Sequence, residues 1–189
     1  MIYRRLFKRW VDLALATIAV VCLVPLMLIV YIMIKCFDPG PVIFRQHRVG
    51  RLGKVFTIYK FRSMPVTTIE VSSDKIVGVK LTWIGLLIRR LNIDELPQLI
   101  NIIRGDMSVV GPRPSLVSQS KLNQIRNEKG VSLVRPGLTG LAQINSFDGM
   151  SLEDKVVWDE RYCSNITLFS DLIIIFKTVF YLFRSPPKY

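Results

Sequence analysis

From Leu13 to Ile34 the chain has no charged residue (LALATIAVVCLVPLMLIVYIMI). As a helix this run reaches about 33 Å at ~1.5 Å per residue, enough to cross the core of a bilayer. It is too long for the apolar part of a signal peptide. Pro25 lies near its middle, where it removes one backbone hydrogen bond and crowds the carbonyl of Val21, which bends a helix. Arg4, Arg5, Lys8 and Arg9 precede the run, and Lys35, Arg45, Arg48, Arg51 and Lys54 follow it. Cations on both flanks draw both ends to the cytoplasmic face. A re-entrant helix-break-helix, turning at Pro25, satisfies both constraints; a kinked single span violates one.

Beyond the turn Asp38-Pro39-Gly40-Pro41, the pattern changes to short strand-like runs. Val42–Val49 and Lys54–Phe61 predict a short β-hairpin across Gly50-Arg51-Leu52-Gly53. The two-residue period of the second strand puts Ile58, Lys60 and Arg62 on one face. Two neighbouring cations on one face suit either an anion between them or a solvated edge. Residues Pro65–Lys80 read as a polar surface loop, and Leu81–Leu91 as an apolar helix with a double arginine. Pro97 is tolerated in a first helical turn, so the spacing predicts a helix from Asp94 through Ile103, stopped by Gly105. Asp94 then reads either as an N-cap or as one of two acids, with Glu95, at the positive end of a helix dipole that could also hold an anion or a metal. Asp106 reads either as a weaker site candidate or as a cap on the turn after Gly105. Pro112 and Pro114 fix the backbone on both sides of Arg113, which suits a phosphate contact or an ordinary extended linker. Ser115–Lys129 and Ser151–Tyr162 predict polar helices, and the glycines of Arg135–Gly140 allow close approach to a ligand or another element. The tail Thr167–Phe183 is apolar with a narrow polar stripe, the pattern of an interfacial amphipathic helix.

Composition sharpens this picture. Half of the 189 residues are hydrophobic, yet 26 Lys and Arg face 14 Asp and Glu, a net charge of +12. Such a chain suits an anionic membrane surface or phosphorylated substrates. Its cations fall in small groups without zinc spacing, RNP-like aromatics or a basic recognition helix, so nucleic acid is not an expected partner. Cys22, Cys36 and Cys163 form no C-x-x-C pair, which argues against a disulfide framework or zinc site. His47 is the one histidine, and no motif assigns it a triad role.

In order along the chain, several segments resemble those of the bacterial sugar transferase family, small monotopic polyprenyl-phosphate phosphoglycosyl transferases. They are the basic-then-apolar N-terminus with its internal proline, DPGPVIFRQHRVG (38–50), YKFRSM (59–64), DELPQLINIIRGDMSVVGPRP (94–114) and RPGLTGLAQIN (135–145). The set covers nearly the whole chain and is specific as an ordered whole. It implies an α+β, mainly helical monotopic membrane protein, with residues 1–36 as re-entrant anchor and 37–189 as catalytic domain on the cytoplasmic face of the bacterial inner membrane. Interfacial amphipathic helices would surround the catalytic helix.

The resemblance further implies a reaction: a sugar-1-phosphate passes from a UDP-sugar to polyprenyl (undecaprenyl) phosphate, releasing UMP, through a covalent aspartyl intermediate. This would be the first membrane step of a glycoconjugate pathway. Carried over by motif, Asp94 is the nucleophile, and Glu95 binds Mg²⁺ or assists the acceptor. Asp94 and Glu95 are thus the implied Mg²⁺ ligands, and Lys60, Arg62 and Arg113 the cations for substrate phosphate. A carboxylate attacking a diphosphate needs such neutralisation. Membrane lipids are implied partners, and a homodimer is left open. The chain departs from the family pattern at Val24, often Ser before the membrane proline, and at His47, often Glu. Without a large multi-span N-terminal extension it resembles the family's minimal form. The alternative expectation is a non-catalytic membrane-surface scaffold for glycan assembly.

Overall fold

One 30-residue helix, α1 (Lys8–Phe37), carries the apolar run, after a π-helical turn at Tyr3–Phe7. The computed structural model describes residues 2–66, 82–145 and 150–182. The predicted loop therefore lies outside the described residues from 67 onward, as does the end of the tail at Phe183. Helical backbone continues through Pro25, so α1 is one element and not two. The proline costs the helix one hydrogen bond, and the turns on either side hold it.

One face of α1 is packed along its length. Ala16, with Ala19, Val20 and Leu23 beside it, packs on Ile58, Leu99, Ile102 and Met107. Val30 and Ile34, with Leu26, Met27 and Met33, pack on Val42, Phe61, Ile84 and Ile88. These positions recur every three or four residues, the period of one helical face. Each fully buried aliphatic side chain stabilises the fold by about 1.5–3 kcal/mol. Trp10, Ile18, Val21, Leu28 and Ile32 point outward and are exposed.

The hairpin forms as its turn residues predict. Strands β1 (Ile43–Val49) and β2 (Val55–Phe61) pair antiparallel from Ile43↔Phe61 to Val49↔Val55. Leu52 and Gly53 take positive φ in the turn. After α2 (Trp83–Arg90), whose first turn is capped by Thr82 accepting from the Gly85 N–H at 3.1 Å, comes a 3-10 turn at Ile93–Glu95. Helix α3 (Gln98–Arg104) starts only then, and ends at Gly105 in the left-handed conformation. The helix predicted from Asp94 thus begins four residues later. The Leu96 N–H bonds the Ile93 carbonyl and the Leu99 N–H that of Leu96, so the entry is wound more tightly, and Pro97 has no N–H to continue an α-helical ladder. Asp94 makes no N-cap.

A short parallel pair follows: β3 (Ser108–Val110) beside β5 (Gly137–Thr139). The glycines of the Arg135–Gly140 segment serve this packing, since a Cβ on Gly137 would stand 2.1 Å from the Gly111 nitrogen. Between them, β4 (Ser115–Leu116) joins β1 as a third strand, with Arg48↔Leu116 and Val49↔Ser115. The helix predicted over Ser115–Lys129 is therefore α4 (Ser120–Glu128), because the Pro112–Pro114 stretch delivers an extended backbone to the sheet edge. Helices α5 (Leu141–Ile144), α6 (Leu152–Ser164) and α7 (Leu168–Leu182) complete the chain.

The tail helix has its polarity inverted. Asp171 is buried, and Thr178 meets Thr139 at 2.7 Å, whereas Phe169, Leu172, Phe176 and Phe180 are exposed. Asp171 joins a buried polar network with the start of α1. It accepts from Lys8 Nζ at 2.6 Å and from the hydroxyls of Tyr3 and Tyr162 at 2.8 Å each. Asp12 accepts from Ser108 Oγ at 2.7 Å and the Val109 N–H at 3.1 Å. Buried charges persist where partners satisfy them, and here those partners tie α1, β3, α6 and α7 together.

Candidate functional site

Asn92, at the end of α2, adopts the left-handed conformation (φ 52°), which asparagine tolerates better than most residues. It turns the chain so that the Ile93–Glu95 turn faces β2. Lys60 on β2 donates to Glu95 Oε1 at 2.7 Å, and Arg113, from the loop after β3, donates to the same oxygen at 2.8 Å. Side-chain exposure is 14 % for Lys60 and Glu95 and 43 % for Arg113, so the triad is sheltered on the strand side and open at the arginine. Asp94, beside it, is 7 % exposed.

The two acids have different electrostatics. Burial pushes the Asp94 carboxyl up to about 6; Lys60 opposes the rise, Glu95 adds to it, and Arg89 and Arg113 also pull down. Burial also works to raise Glu95, but Arg113 and Lys60, charged and hydrogen-bonded to it, outweigh burial and hold Glu95 well below the usual carboxylate range. Glu95 therefore stays ionised while Asp94 titrates near 6. Adjacent carboxylates with pKa values driven apart can take different chemical roles.

Two clamps hold this arrangement. Asn101, fully buried on α3, accepts from the Tyr59 N–H at 3.2 Å and donates to the Thr57 carbonyl at 2.8 Å and Asp106 at 3.1 Å. It fixes the acid-bearing segment against the lysine-bearing strand, and Asp106 is occupied in that role. Arg126 on α4 donates to the Arg113 carbonyl at 2.7 Å and pairs with the buried Asp159 at 2.6 Å. The loop carrying Arg113 is thereby held from behind. A cleft of about 530 Å³ begins at Arg113 and runs between the β1–β2 turn and α4, past Gly50, Asn123, Gln124 and Asn127.

Asp94, Glu95, Lys60 and Arg113 thus come together, and Arg62 does not join them. Arg62 is buried and pairs with Asp38 at 3.0 Å, also donating to the Asp38 and Pro39 carbonyls at the exit of α1. Arg89, whose charge acts on Asp94, is a residue the sequence reading left out of the site; its place in α2 one turn before the acids was the available signal. Pro25 lies inside the long apolar helix α1. His47 approaches Thr57 at 3.5 Å on the hairpin, with no contact to the acids. The donor set fits Mg²⁺, which takes one or two carboxylates and fills its shell with phosphate oxygens and water. Asp94 and Glu95 would be the two carboxylates to hold it, and among the described residues no group of three or more His, Cys, Asp and Glu is placed to hold a metal ion.

Comparison with known proteins adds the chemistry. A family model described as bacterial sugar transferase matches residues 3–185. The Escherichia coli UDP-glucose:undecaprenyl-phosphate glucose-1-phosphate transferase is 38% identical over 199 residues, covering 98% of this chain and 42% of that protein. An Aeromonas hydrophila UDP-N-acetylgalactosamine-undecaprenyl-phosphate N-acetylgalactosaminephosphotransferase is 38% identical over 181 residues, 91% of this chain and 42% of its own length. The uncharacterized sugar transferase EpsL of Bacillus subtilis is 41% identical over 179 residues, 92% of this chain and 86% of its own. The chain thus spans about two-fifths of the length of the first two relatives.

Proposed function

Because the chain belongs to the bacterial sugar transferase family, we propose that it moves a sugar-1-phosphate from a UDP-sugar to polyprenyl phosphate, with Asp94 as nucleophile. A carboxylate oxygen of Asp94 attacks the phosphorus attached to the sugar. The bond from that phosphorus to the bridging oxygen breaks, and UMP leaves with the electron pair. An oxygen of the lipid phosphate then attacks the same phosphorus, regenerating the carboxylate and yielding the lipid diphosphate sugar. The observation that carries this reading is the geometry: a buried Asp94 beside a Glu95 that Lys60 and Arg113 both bond. The pair of cations neutralises charge as the anionic substrate approaches the acids, and the cleft beginning at Arg113 suits the nucleotide half of the donor. Mg²⁺ held by Asp94 and Glu95 would supply further neutralisation of the diphosphate oxygens. Arg62, paired with Asp38, is better read as a brace for the exit of α1 than as a phosphate ligand.

Both ends of α1 pack on the same domain: Lys8 and Asp12 on α7 and β3, Val30 and Ile34 on Phe61 and Ile88. This supports a re-entrant path, with the domain at the cytoplasmic face of the inner membrane. The exposed apolar faces of α1 and α7 support burial of both in lipid. The relatives' names carry different sugars, glucose and N-acetylgalactosamine, so the sugar is to be found by screening a panel of donors.

The test is UMP release from UDP-sugars by the protein in nanodiscs containing undecaprenyl phosphate. Asp94→Asn should abolish release, and mass spectrometry after donor alone should find the phosphosugar on residue 94. Asp94→Asn turning over as fast as wild type would refute the assignment, and no turnover with any donor would favour a scaffold. Chelation by EDTA should stop turnover and added Mg²⁺ restore it; turnover persisting in EDTA contradicts the metal role.

A further inference from the structure

The stripe that carries Asp94 contains another buried polar side chain, whose amide nitrogen has no hydrogen-bond partner among the described residues. Along this segment Asp94, Gln98, Asn101 and Ile102 are buried, the spacing of one helical face. That face is turned to β2, because Asn101 bonds Tyr59 and Thr57 there and Lys60 acts on Asp94 from there. Asn101, three residues after Gln98, has both ends of its amide engaged. Gln98, four residues after Asp94, is 2 % exposed, and its Nε2 is buried without a hydrogen-bond partner. A buried amide N–H left unpaired disfavours the free fold, and most such groups in folded proteins are bonded. A leucine would occupy this place without that penalty.

We propose that the Gln98 amide is a donor to the phosphoryl group being transferred, bonding one of its oxygens once that group is attached to Asp94. This rests on the reading of Asp94 as nucleophile and deepens it. Lys60 and Arg113 already spend hydrogen bonds on Glu95 in the free protein. The Gln98 amide is instead uncommitted and neutral. It can stabilise charge on a phosphoryl oxygen without drawing Lys60 or Arg113 away from Glu95. The identity of the sugar plays no part, since the bond is to phosphate.

The experiment compares wild type, Gln98→Leu, Gln98→Glu and Asp94→Asn in nanodiscs. It uses a UDP-sugar that wild type accepts, without lipid acceptor. First-turnover UMP release and the phosphosugar adduct on residue 94 are measured, together with Tm. Gln98→Leu should slow first-turnover release about 100–1000-fold, the range for losing one donor to developing charge, with Tm equal to or above wild type. Gln98→Glu, of the same shape but acceptor only when ionised, should be slower still. Release by Gln98→Leu within about threefold of wild type overturns the proposal. Loss of folding in both variants, or a fall in Tm matching the fall in rate, also overturns it, because the amide then serves the fold. Asp94→Asn releasing UMP at the wild-type rate removes the nucleophile itself. An inert Asp94→Asn beside an unimpaired Gln98→Leu refutes Gln98 alone.

Discussion

Asp94 is held in a surrounding that disfavours its charge, and this has two measurable consequences. With the carboxyl raised to about 6 from an unfolded value near 3.8, the free protein carries a growing protonated fraction as pH falls through 6. UMP release at limiting donor should therefore drop about tenfold per unit below pH 6. Glu95, held low, stays ionised throughout that window. For stability the sign is opposite: ionising a carboxyl whose folded value is raised opposes folding, and the penalty accumulates between about pH 4 and 6. Asp94→Asn should therefore melt a few degrees higher than wild type at pH 7.5, with the gain shrinking towards pH 4, as read by thermal denaturation across pH. That Asp94, Glu95, Lys60 and Arg113 lie together was the expectation from the motifs that carry them. Arg62 was misplaced because strand alternation puts it on the Lys60 face but cannot reveal that Asp38 will claim it. Arg89 was passed over although it stands five residues before Asp94, because that spacing alone does not tell an exposed arginine from one turned to the acids.

Strand β2 and helix α3 act as a unit because Asn101 satisfies two backbone groups of the strand. Asn101→Ala leaves the Tyr59 N–H and Thr57 carbonyl unpaired in a buried place. It should cost on the order of 2–4 kcal/mol in denaturant unfolding and loosen Lys60 from Glu95, lowering kcat more than donor affinity. Elements with a strong period or turn chemistry were readable, as with the apolar helix, the hairpin across Gly50–Gly53 and the Gly105 stop. Strands β3, β4 and β5, at two or three residues each, are too short to carry a period, and their pairing is a tertiary event. The late start of α3 was hidden because a 3-10 turn and the first turn of an α-helix tolerate the same residues, proline included.

At the scale of the whole chain, α1 packs at both ends on one domain, and its course through the membrane is open to a direct test. In a variant without native cysteines, Ile2→Cys and Lys54→Cys should both escape a membrane-impermeant maleimide in intact spheroplasts and react in inverted vesicles. Labelling of residue 2 from outside would establish a straight crossing. The inward-facing polar stripe of α7 was visible in the sequence, but its occupation by Lys8, Tyr3 and Tyr162 joins residues up to 168 apart, which local patterning does not reach. That network also sets an order of assembly. On the ribosome Asp171 emerges 163 residues after Lys8. Until then Lys8 has Asp12, four residues on and 3.8 Å away, as its pairing partner, so the first turns of α1 finish packing only after α7 has been made.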